Sequence, residues 1–182
     1  VATWAPLVKG TAITWSSSGG TYVIDFSAGG AGVATGAGRK GAKSTSTLID
    51  GTKGFPAVLE VYVKSKFQAA PSLGKTVDLY FAWSPDGTVF PSPGLITGSD
   101  GALTSSQLAD LTGGQVTFIG SLNCTDSNDG NSGTGQQISD FFVIAPKDEF
   151  IVPVLSNQSG QTTTTTGTDH VITVTPWYQQ SS

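Results

Sequence analysis

The sequence predicts an all-β protein: an antiparallel two-sheet sandwich of jelly-roll type with one short helix. Three observations lead there. Residues 57–67 and 76–84 alternate strictly. Leu59, Val61, Val63 and Phe67 fall on one face of the first run, with Glu60, Tyr62, Lys64 and Lys66 on the other. In the second, Val77, Leu79, Phe81 and Trp83 oppose Asp78, Tyr80, Ala82 and Ser84. Alternation of β-branched and aromatic residues with polar ones is the mark of half-buried strands. The composition agrees. Charged residues are 12% of the 182-residue chain, roughly half the usual ~25%, and 24 glycines join abundant Ser and Thr. Finally, only residues 104–111 carry a helical signal: a Thr or Ser cap, Leu108 and Leu111 at helical spacing, and Gly113-Gly114 as a stop.

Taken in order, residues 1–10 read as an N-terminal arm holding Trp4, Pro6 and Leu7, and residues 11–178 as one sandwich domain. Residues 11–15 and 21–26 are expected to form a hairpin around 16–20. Residues 27–46 lose all periodicity. Six glycines, with Arg39, Lys40 and Lys43 as the only charges, predict a long flexible loop. Residues 47–50 suggest a short strand. The strands over 57–67 and 76–84 are expected to pair as a central antiparallel ribbon across 68–75. Residues 88–101 are a Pro/Gly-rich loop. Residues 115–124 form a strand with Val116, Phe118 and Leu122 inward and Gly120 at a bulge. Residues 138–144 and 149–155 are further strands, flanked by polar loops at 125–136 and 157–169. Residues 170–175 are the last strand, followed by Pro176-Trp177-Tyr178 and a polar tail at 179–182. Eight or nine strands joined by long, unequal loops favour two sheets over a tight-turned meander.

Several function classes lose support. A net charge of −4 and a pI near 4.7 are unlike a nucleic-acid binder, which is usually strongly basic. No apolar run of membrane-spanning length occurs. Val1–Trp4 has no basic-then-apolar leader. One cysteine, Cys124, excludes an internal disulfide and reads as a small buried apolar residue. Residues 36–44 approach a phosphate loop, but Ala42 separates Gly41 from Lys43 and no helix follows. Residues 126–133 approach a calcium loop, but Gly130 falls one place early and no Glu follows; an irregular calcium site there stays open beside a plain turn. The single His170 sits in a strand pattern, and no G-x-S-x-G elbow occurs. Glu60 alternates with Tyr62 and Lys64 on an outward face, where cross-strand pairing with Lys is the ordinary role. Neither an enzyme nor a cofactor is expected. Asn123 and Asn157 match the glycosylation pattern by chance.

The candidate contacts are therefore surface residues: Trp4, Arg39, Lys40, Lys43, Trp177 and Tyr178. Aromatics near chain ends latch onto neighbours, and the three cations of the loop suit an acidic partner.

Val-Asp-Leu-Tyr-Phe-Ala-Trp-Ser-Pro at 77–85, Phe-Ile-Gly-Ser-Leu at 118–122 and Ile-Thr-Val-Thr-Pro at 172–176 resemble small structural proteins of tailed-bacteriophage heads. That group includes jelly-roll decoration, or cement, proteins. The resemblance implies a non-enzymatic virion protein on the capsid surface that bridges capsid subunits, with the major capsid protein and its own copies as partners and no catalytic residues. The alternative is a carbohydrate-binding module or receptor-binding tip of the same sandwich class.

Overall fold

Alternating residues lead to two sheets because each strand has one apolar side to bury, and a second sheet is the cover closest in shape. The computed structural model describes residues 6–18, 20–26, 31–124 and 137–180. Among them the elements run β1 (Leu7–Lys9), β2 (Ile13–Ser16), β3 (Gly38–Lys40), β4 (Val58–Lys66), β5 (Thr76–Ser84), β6 (Gly101–Leu103), α1 (Ser105–Thr112), β7 (Thr117–Asn123), β8 (Gln137–Ile144), β9 (Phe150–Asn157) and β10 (Val171–Gln179). One sheet has the order β1-β10-β4-β8, with β2 sharing the β10 edge with β1; the other has β6-β3-β9-β5-β7. Every pairing is antiparallel. The expected two-sheet antiparallel sandwich is the fold.

The main core lies between the sheets. Leu59, Val61, Val63, Ile172, Val174 and Trp15 from one meet Val77, Leu79, Phe81, Ile151 and Leu155 from the other, all buried. A second core lies on the outer side of β5 and β9. There Ala82, Val152 and Val154 are roofed by Leu108 and Leu111 of α1 and by Phe90, Ile96 and Leu103. This roof explains why Ala82 and Ser84, placed on the polar face by their alternation, are buried. The helix forms as its capping box dictates. Thr104 Oγ1 accepts the Gln107 N–H at 3.3 Å, and Gln107 Oε1 accepts the Thr104 N–H at 3.0 Å.

The structure corrects several expectations. β4 and β5 are not a pair. β4 lies between β10 and β8, β5 between β9 and β7, and residues 68–75 cross from sheet to sheet. Backbone bonds tie that crossing to distant loops: Gln68 N–H to Thr162 O at 2.9 Å and Ser72 N–H to Ser159 O at 2.8 Å. Residues 21–26 form no hairpin with β2. They run alongside it through a single parallel bridge, Trp15 to Tyr22. Residues 47–50 contribute only an isolated bridge, Asp50 to Gly54. Phe118 is 55% exposed. β7 carries the expected bulge, the register slipping from Leu79↔Gly120 to Tyr80↔Phe118. One extra residue reverses the parity, so Ile119 packs on the core and Phe118 turns out against Tyr80, ring centroids 5.3 Å apart.

The part of the arm that is described is a strand. Leu7, Val8 and Lys9 pair with Gln179, Tyr178 and Trp177. The last strand accordingly extends to Gln179, through residues read as a lead-out and tail. The loop at 27–46 is also not free where it is described. Residues 38–40 are β3, hydrogen-bonded between β6 and β9.

Candidate functional site

The three cations read as partner contacts are turned into the protein. Arg39 is 5% exposed and Lys40 8%. The Arg39 guanidinium forks onto both Asp100 oxygens, Nε to Oδ1 at 3.0 Å and Nη2 to Oδ2, a geometry that suits burial of this pair. Lys40 Nζ donates to Leu95 O and to Thr97 Oγ1, the latter at 3.1 Å. Burial lowers its pKa, partly offset by Asp100. Lys43 Nζ donates to Gly87 O at 2.7 Å. Together they stitch β3 and the residues after it to the 87–100 segment that roofs the second core. Cationic side chains satisfied by internal carbonyls and a carboxylate are not available to an acidic partner surface. Tyr178 is likewise 4% exposed, its hydroxyl donating to Leu48 O at 2.8 Å. Trp177 remains half-buried on the outer side of β10. Trp4 and residues 126–133 lie outside the described residues.

His170 is buried with relative exposure of 0%. Its Nε2 lies 3.1 Å from Thr164 O, so Nε2 carries the proton, and Nδ1 accepts from Ser65 Oγ at 3.0 Å. The ring stacks on Phe26 at 4.1 Å. Burial pushes its pKa down to about 4. This Ser–His contact is sealed in the core, with Ser65 also at 0%, and no substrate can reach it. Among the described residues, no three of His, Cys, Asp and Glu come together to hold a metal ion. No helix is long and apolar enough to cross a membrane. Asn157 is 2% exposed and donates its amide to Val33 O and Gln161 O, a structural role that closes it to modification. Cys124 is buried as expected.

What the structure presents outward is a sheet face. The outer side of β5 and β9 is roofed by α1 and its flanking segment; the outer side of β10-β4-β8 has no such cover among the described residues. Its rows follow from the register. Phe141, Tyr62, Thr173 and Thr14 lie side by side; Val143 and Glu60 form the next row, with Thr175 beside Glu60 but buried; Val58, Trp177 and Lys9 form the one beyond; Ser139, Lys64 and Val171 lie on the opposite side of the first. Val143 is 72% exposed and Phe141 63%. The Tyr62 and Phe141 rings sit 4.7 Å apart, and Lys9 Nζ lies 5.6 Å from the Trp177 ring centre. Leu7, Val58, Glu60, Val143 and Trp177 line a shallow apolar pit of about 250 Å³. Glu60 is its one carboxylate. Neither Glu60 nor Lys64 makes an ion pair or hydrogen bond among the described residues, so the cross-strand pairing expected for Glu60 is not made. A second cleft of about 380 Å³, with Thr11, Thr21, Ser46, Thr47, Asp50 and Tyr178 in its wall, offers hydroxyls. Its carboxylate is already bound to Thr52 and Lys53.

Of the sequence-derived contacts that are described, only Trp177 belongs to this face. Tyr62, Phe141 and Val143 were missed as contacts, although a signal existed. Phe141-Phe142-Val143-Ile144 is apolar at four successive positions, so both faces of β8 are apolar while only one can meet the core.

Comparison with protein-family models, curated proteins and solved structures finds no match for this chain.

Proposed function

We propose that this chain is a non-enzymatic structural protein of a bacteriophage virion, a decoration (cement) protein that binds the outer capsid surface and bridges capsid subunits. Its partners are the major capsid protein and further copies of itself. The observation that carries the reading is the apolar, aromatic face of β10-β4-β8, without cover among the described residues, while His170 and the cations Arg39, Lys40 and Lys43 are spent on internal contacts. A molecule so arranged acts by contact over an area. The strand order supports the jelly-roll form. With β1 and β6 set aside, eight strands form two four-stranded sheets, β2-β10-β4-β8 and β3-β9-β5-β7. The phrases at 77–85, 118–122 and 172–176 resemble phage head proteins, which supports the virion placement.

The test follows an epitope-tagged chain through purification of phage particles. The chain should co-sediment with intact heads in fixed proportion to the major capsid protein, and heads lacking it should release DNA at a lower temperature. Absence from purified heads overturns the reading. One observation favours a second reading, a carbohydrate-binding module or receptor-binding tip: the Tyr62–Phe141 ring pair and the Trp177 indole could stack on sugar rings. In that case glycans should change tryptophan fluorescence, and Phe141→Ala should abolish the change.

A further inference from the structure

The face of β10-β4-β8 has a charge pattern that complements itself. Glu60 and Lys64 stand two residues either side of Tyr62 on β4, both on the outer side and both without an ion pair or hydrogen bond among the described residues. From this geometry we infer that two copies of the chain meet face to face about a twofold axis that crosses the strands at Tyr62. Such an axis reverses β4, so Glu60 of each copy lies over Lys64 of the second copy, and two ion pairs form by symmetry. Phe141 and Tyr62 lie on the axis row and meet their own counterparts. Val143 lies over Ser139 of the second copy. An axis along the strands would instead set Glu60 over Glu60 and Lys64 over Lys64, which like-charge repulsion disfavours.

Two further observations select this arrangement. The free edge of β8 is blunted against strand addition. Asp140 occupies a position of inward parity between Ile138 and Phe142, and its Oδ1 accepts the Phe141 N–H at 2.7 Å. An inward-parity charge on an edge strand opposes edge pairing, so the accessible apolar surface is the face. The area also suffices. Four strand lanes about 4.8 Å apart and about nine residues long make a footprint of roughly 550 Å² per copy, roughly 1,100 Å² in all, against the ~1,000 Å² expected of a specific interface.

This inference deepens the decoration reading and rests on it only in taking the chain to assemble with copies of itself; its test uses purified protein without capsids, so either can fail alone. Sedimentation velocity over a concentration series should show a dimer with a micromolar dissociation constant. Glu60→Lys and Lys64→Glu singly should each weaken dimerisation about tenfold or more, because each turns two ion pairs into like-charge contacts. The double variant should return to near the wild-type constant. Phe141→Ser, at a position largely exposed in the single chain, should also weaken the dimer. A protein monomeric at every concentration, a dimer indifferent to both single charge reversals, or single-variant losses that the double variant does not recover would each overturn the inference.

Discussion

Asp100 receives the fork of the Arg39 guanidinium and, at 3.0 Å, the N–H of Asp25. Their side chains are only 6% and 16% exposed, so neither charge has water to fall back on. Asp100→Ala should cost about 3–5 kcal/mol in urea denaturation, because it strands a buried cation. Arg39→Met with Asp100→Leu should recover most of that. His170 gives a pH-dependence with a definite sign. Its folded pKa of about 4 lies below the unfolded 6.5, so between these values the unfolded chain binds more protons than the folded one. Stability should be flat above pH 6.5 and fall by roughly 3 kcal/mol as pH drops to 4. In His170→Gln that slope should disappear. Neither role was legible in the sequence. Arg39 and Asp100 are sixty-one positions apart, and a basic Gly-rich stretch reads as solvated until the carboxylate that neutralises it is in place.

β7 and β8 are the edges of opposite sheets on one side of the sandwich, and Gly120 is where they close. A Cβ on Gly120 would stand 2.2 Å from the Phe142 ring, so the glycine is needed for close approach, not for an unusual backbone angle. Gly120→Ala should cost about 1–3 kcal/mol by overpacking, and hydrogen exchange should speed up first in β8. Within β5, Phe81→Ala should cost about 3–5 kcal/mol, since its ring is fully buried. Local rules made β4, β5 and α1 readable: alternation fixes which side chains of a strand are inward, and a capping box fixes where a helix starts. They fail at Phe118, where a single bulged residue inverts the parity, a shift that depends on β5 opposite rather than on β7 itself.

At the scale of the whole molecule, the sandwich was legible but its pairing was not. Alternation in β4 and β5 looks the same whether their neighbour is the next strand or one a hundred residues away. The usual tendency of consecutive strands to pair pointed to a ribbon that does not exist. The outward face was hidden for a related reason: which of two apolar sides of β8 meets the core is settled only once the sheets are assembled. The antiparallel lanes at the β10 edge also set how the molecule responds to force. Leu7 sits beside Gln179, and Ile13 beside Val174, each near the same end of its pairing. Tension between Leu7 and Gln179 therefore peels hydrogen bonds one after another, beginning with the three-residue β1. The same tension applied through the broad face of β10-β4-β8 is shared across several strands at once. Tethered by its termini the protein would unzip at low force, whereas gripped by that face it would resist as a plate.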